Sequence, residues 1–187
     1  MPDADVIKRR THLTTFRFSE SLAHSLQKEA ADEGTTVNAL ANSIISDHFD
    51  WHKKAQDFGF STVPRALLKK VLEGLDDETV ARIGREIIPG LWKEMAEFWS
   101  QDSSPEGILN FQLIRSKFNP NNQTRVAQEG DTITVVLRHD FGPKWSLMAK
   151  SGLEEFVKQS FHVKPRISAG DSVITARFKV NQHKWSS

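Results

Sequence analysis

The sequence predicts an α+β fold in three parts. These are a β-α-α unit over residues 1–52, a helical connector over 53–102, and an α-β-β-α-β-β domain with an antiparallel sheet over 103–187. Three observations predict it. Side chains alternate over Leu13–Phe18 with the two-residue period of a strand. Apolar residues then recur every three or four positions through Leu22, Leu26 and Ala30, through Val37, Leu40 and Ile44, and again between residues 63 and 100, as in amphipathic helices. Finally, Glu129-Gly130-Asp131 and Ala169-Gly170-Asp171 each separate two β-rich runs, which is a hairpin signal.

The strand Leu13–Phe18 sets Thr14, Phe16 and Phe18 on one face and Leu13, Thr15 and Arg17 on the other. The aromatic face needs a core, whereas Thr and Arg are the types that hydrogen-bond to base edges. A lone six-residue strand leaves its backbone groups unpaired. Pairing with the same strand of a second copy satisfies them and makes an antiparallel ribbon that fits the major groove. Ser19 is placed as N-cap of a helix over about 20–33, and Gly34 follows as a left-handed terminator. Thr36 is placed as N-cap of a second helix that ends within residues 50–62, with Gly59 as a break.

The middle of the chain reads as two helices. Val63–Leu75 has Thr62 as cap and Pro64 in its first turn. Asp76-Asp77-Glu78 opens another running to about Ser100, where Pro89-Gly90 is expected to kink or split it. Its Leu91, Trp92, Met95, Phe98 and Trp99 read as core or dimer packing. The Ser, Pro and Gly cluster at 101–107 marks a boundary, and Ser104-Pro105-Glu106 starts a helix through about Phe118. Asn119-Pro120-Asn121-Asn122 is a turn. Strands Thr124–Gln128 and Thr132–Arg138, a helix over about 144–161, and strands Val163–Ser168 and Ser172–Val180 complete the domain.

The order strand, cap, helix, Gly-Thr-Thr, helix over residues 12–50 resembles the ribbon-helix-helix family of DNA-binding proteins. The resemblance implies that the outward ribbon residues Leu13, Thr15 and Arg17 contact bases, with Arg17 suited to guanine O6 and N7. It also implies that the start of the second helix, Thr36, Val37 and Asn38, grips a phosphate through free N–H groups. Leu13 departs from the family's pattern, which has a polar reader there. A solvated charge is the plainer reading of Arg17 on an isolated strand. The arm Lys8-Arg9-Arg10 either contacts phosphates or is a solvated terminus. The expected protein is a cytoplasmic, nucleoid-associated homodimer of prokaryotic type that binds double-stranded DNA and regulates transcription. The alternative is an antitoxin whose C-terminal part binds a partner protein.

Charge and composition bound the rest. Residues 1–52 carry five Lys or Arg against eight Asp or Glu, so the unit is not basic overall. Residues 103–187 carry twelve against seven, which allows DNA contact, an anionic ligand or simple charge balance. The chain has no Cys, which removes disulfides and thiol chemistry. No apolar run of transmembrane length and no signal-peptide core occurs, so no membrane association is expected. Walker A and GxGxxG patterns are absent.

The densest polar cluster is Arg138-His139-Asp140-Phe141-Gly142-Pro143-Lys144-Trp145-Ser146, at a strand end and helix start. Arg138, His139, Lys144 and Trp145 there form a candidate site for a small anionic ligand. The plainer reading is a turn, with His139 or Asp140 capping the helix and Trp145 packed inward. His139 and Asp140 are neighbours pointing to opposite sides, and no nucleophile stands nearby, so an enzyme is not expected. Nickel-responsive regulators share the arrangement of a ribbon unit joined to an α+β domain. Of seven His, however, only His48 and His52 have helical ligand spacing and no third ligand is evident, so neither metal nor other cofactor is expected.

Overall fold

A computed structural model describes residues 12–119 and 121–180. It divides into two compact units, meeting at the step from His48 to Phe49. The first unit holds helices α1 (Glu20–Asp32) and α2 (Val37–Asp47). Ser19 and Thr36 are the N-caps, as the sequence predicts: Ser19 Oγ accepts from Leu22 N–H and Thr36 Oγ1 from Ala39 N–H. Gly34 takes the left-handed conformation, with φ of 65°, that ends α1 and turns the chain back. Leu26, Ala30 and Leu40 are the buried residues joining the two helices.

Residues 12–19 form no strand in the single chain. This departs from the expected strand at Leu13–Phe18, and the physical reason is pairing: a strand is defined by a ladder, and no described segment of the same chain supplies one. The arm Lys8-Arg9-Arg10 lies outside the described residues.

The second unit contains a π-helical turn (His48–His52, shared with the boundary), α3 (Lys53–Phe58), α4 (Arg65–Glu73), α5 (Asp77–Ser100), α6 (Pro105–Phe118), strands β1 (Asn122–Glu129) and β2 (Thr132–His139), helix α7 (Pro143–Phe161), and strands β3 (Arg166–Ala169) and β4 (Val173–Lys179). The strands form one antiparallel sheet in the order β1-β2-β4-β3, with Glu129 opposite Thr132 and Val136 opposite Thr175. Gly130 adopts φ of 59° in the first hairpin, a conformation that a residue bearing a Cβ rarely adopts. Ile133, Val135 and Leu137 of β2 and Ile174, Ala176 and Phe178 of β4 point to one face. There they meet Leu153, Phe156 and Val157 of α7, while α6 covers β1 and α5 packs on α6 and α7.

Several boundaries differ from the sequence reading. The second helical stretch keeps to the expected end within 50–62 and the expected break at Gly59, and only its route differs. The π turn carries the helical backbone into α3, which ends at left-handed Gly59. Thr62 caps nothing; Pro64 is the N-cap residue of α4, which is shorter than expected. Pro89 does not split α5, because Ala81, Gly84, Trp92, Met95 and Trp99 keep one buried face running past it. β3 begins at Arg166, not Val163, since Pro165 has no N–H for the ladder. The residues expected as a separate connector belong to the second unit. Trp51 lies with its ring centre 5.1 Å from Trp99 and 5.2 Å from Phe118, so the 101–107 segment is a turn inside one core.

Candidate functional site

In the first unit, Leu13, Thr15 and Arg17 are exposed, and Leu13 is 91% so. Phe16 and Phe18 stack with ring centres 6.1 Å apart, which puts them on one side of the segment. Arg17 has no ion-pair partner among the described residues. At the start of α2, the Thr36 hydroxyl takes the Ala39 N–H, and the first helical N–H groups, those of Val37 and Asn38, have no intrahelical acceptor. Thr36, Val37 and Asn38 are all exposed. Such an end offers donors and a partial positive charge to an anion.

The cluster at 138–145 does not converge. Lys144 Nζ lies 2.5 Å from Asp77 Oδ1 and donates to the Leu75 carbonyl at 2.8 Å, so it staples α7 to the start of α5. Trp145 packs on Phe141 with ring centres 4.7 Å apart and against the core. Arg138 is exposed on the opposite side of the sheet from the buried His139. Asp140 forms an ion pair with Arg65.

His139 has its hydrogen bonds fully used. Its Nδ1 accepts from Phe141 N–H at 3.2 Å, so Nε2 carries the proton and donates to Ser146 Oγ at 2.9 Å. A hydroxyl therefore does stand beside His139, contrary to the sequence reading, but that of Ser146 donates onward to the Gly170 carbonyl at 2.5 Å. Burial, reinforced by the Lys69 charge, lowers the His139 pKa below that of an ordinary histidine. Neither His139 nor Asp140 caps α7, whose N-cap is Gly142 at φ of 86°. Among the described residues no three His, Asp or Glu side chains gather to hold a metal ion.

The register reveals a surface that the linear sequence hides. The sheet face turned away from the helices carries Arg125 on β1, Arg138 on β2, Arg166 on β3, and Arg177 and Lys179 on β4. All five are exposed. Arg166 stands directly opposite Arg177, a like-charge pair that costs stability unless an anion lies across it. Lys179 is paired with Asp131, whereas the four arginines have no ion-pair partner among the described residues. Strand alternation and hairpin pairing were both readable. The missing step was to combine them across four strands.

The two units thus define an α+β protein with two exposed cation-bearing surfaces, one in the N-terminal unit and one on the sheet. No family model, curated protein or solved structure matches the chain. Among the described residues no helix is long and apolar enough to cross a membrane.

Proposed function

We propose that the protein is a homodimeric, sequence-specific DNA-binding transcriptional regulator of ribbon-helix-helix type. The observation that carries this reading is the imbalance of the first unit. Among its described residues it buries only Leu26, Ala30 and Leu40, yet exposes Phe16, Phe18, Leu22, Val37, Ile44 and Ile45. Three buried residues are too small a core to hold two helices in water. The unladdered segment 12–18 also runs beside Val37, Asn38, Ala41 and Ile45 of α2, lining one groove with them. A second copy supplies what is missing on both counts: a strand partner for residues 13–18 and an apolar cover for Phe16, Phe18 and the exposed flank of α2.

In that dimer the paired strands project Leu13, Thr15 and Arg17 into the major groove. Arg17 donates two hydrogen bonds to guanine, Thr15 contacts a base edge or thymine methyl, and Leu13 packs on a thymine methyl. The Val37 and Asn38 N–H groups at the start of α2, with Lys8, Arg9 and Arg10, take backbone phosphates. The arginine face of the second unit adds a second phosphate-binding surface. It carries no aromatic side chain on which a base could stack, so backbone contact is what it offers. The self-contained core of the second unit disfavours the antitoxin alternative, in which that region orders only on a partner.

The test is selection from fragmented genomic DNA at physiological salt by the wild-type protein and by Thr15→Ala/Arg17→Ala. A short palindromic or repeated motif enriched only by wild type is expected. Arg17→Ala alone should cost about 1–3 kcal/mol and relax preference at one base pair. Replacing Arg125, Arg138, Arg166 and Arg177 by Gln should leave the motif unchanged and reduce the steepness of the salt dependence by up to about four phosphate contacts. Unchanged affinity and preference in Arg17→Ala would refute ribbon readout.

A further inference from the structure

A half-buried charged side chain in the second unit has an enclosed nitrogen without a partner. Arg115 lies on α6, its Nε is enclosed, and no described residue accepts from it or forms an ion pair with it. Burial alone, with no carboxylate in reach, lowers its pKa to about 10, so the guanidinium is still charged at neutral pH. The side chain as a whole is half-buried, and a desolvated guanidinium nitrogen with no acceptor costs stability.

The rest of the side chain explains what the charge faces. It forms one wall of a cavity of about 180 Å³ between α5, α7 and the sheet. Ile83, Ile87 and Ile88 of α5 and Trp145 and Met148 of α7 give it an apolar lining. The polar groups on that lining are Arg115 and Asn122, at the α6–β1 corner. Ile87 is 54% exposed and marks the mouth. On its other side Arg115 borders an open depression lined by Trp51, Phe60 and Phe118. An apolar chamber with a few convergent polar groups at one end is the usual form of a small-molecule site. A cavity of about 150 Å³ takes benzene, so this one suits a guest of similar size bearing one anionic group.

We infer that this cavity binds a small organic carboxylate, with its hydrocarbon or aromatic body among the isoleucines and its carboxylate paired with Arg115 and hydrogen-bonded by Asn122. The guanidinium fork matches a carboxylate in two parallel N–H···O bonds. The neutral analogue of the same shape leaves the Arg115 charge unpaired, so the site discriminates acid from amide. This proposal does not depend on DNA binding.

The test uses the full-length protein with benzoate, phenylacetate and hexanoate, and with benzamide, phenylacetamide and hexanamide as uncharged controls. Tryptophan emission and Tm are read together, since Trp92 and Trp145 line the chamber. At least one acid is expected to shift the emission and to raise Tm by about 3 °C at ten times its Kd, while its amide does neither. Arg115→Met should abolish the response and melt, without ligand, at the wild-type temperature or above, because an unpaired, half-buried charge has been replaced by an apolar chain. Ile87→Trp, at an exposed position that tolerates the change, should block the mouth and weaken the same response with Arg115 intact. Equal binding of acids and amides, or no response to any of the three acids, overturns the proposal. So does an Arg115→Met variant that melts several degrees below wild type, which would make Arg115 a structural residue.

Discussion

Two glycines of α5 make opposite predictions for the same substitution. Gly90 has open space around it, so a methyl group added there meets nothing within 4 Å. Gly90→Ala should gain the ordinary helix-propensity difference, about 0.8–1.0 kcal/mol. At Gly84 an added Cβ would fall against the Met148 carbonyl oxygen and lie 3.1 Å from the Ser151 Cβ of α7. A backbone carbonyl inside a helix cannot step aside as a flexible side chain can. Relief requires α5 and α7 to separate by about 1 Å, which places the cost near the upper end of the 1–3 kcal/mol typical of overpacking. After the same propensity gain of about 1 kcal/mol, Gly84→Ala should lose about 2 kcal/mol net. The two variants should therefore differ by about 3 kcal/mol, or roughly 6–12 °C in Tm for a chain of this size. Urea unfolding followed by tryptophan emission reads the second unit alone, because all five tryptophans lie at or beyond residue 51. A Gly84→Ala protein as stable as Gly90→Ala would refute the close α5–α7 contact, and with it the chamber those helices enclose.

Other consequences follow from single residues. Ile44→Lys places a charge on the exposed flank of α2; it should leave the fold of the second unit intact while reducing the sedimenting mass from dimer to monomer, and an unchanged mass would remove the proposed interface. For His139, the folded pKa lies below the unfolded value of about 6.5. The unfolded chain therefore takes the proton first, and the stability this residue contributes is complete above that value and lost as pH falls through the window below it. Urea midpoints measured between pH 7.5 and 5 should fall, and His139→Gln should flatten that part of the profile. Equal pH slopes in both proteins would show that His139 titrates alike in the folded and unfolded states, against the lowering that burial imposes.

Much of the second unit was legible because local signals agreed with one another. Ser104 before Pro105, the Gly130 turn and the alternation in β2 each specify one conformation, and the register follows from the hairpin. The signals that misled were those whose outcome depends on the rest of the fold. Pro89 forbids one hydrogen bond but cannot outweigh the buried stripe on either side of it. Polar density at 138–145 suggested a ligand site, yet Lys144 is spent on Asp77 and His139 on Ser146. Local sequence shows which groups are polar, and only the tertiary contacts show which of them are already satisfied.

Arg115 differs from the other unpaired arginines in that its Nε is shut off from water as well as from any acceptor. α6 has Ile108, Phe111, Gln112 and Arg115 at intervals of three, one and three, so all four share a face. The first three are buried, and both atoms of the Gln112 amide lack partners. An amphipathic helix places polar residues at solvent positions; here two stand among the core positions, and a fold needing only stability would have kept apolar residues there. The sequence held this signal in the spacing, but reading it required knowing which face of α6 turns inward. A polar group retained where it costs stability calls for a compensating contact, and the apolar chamber beside Arg115 is where a ligand can make it.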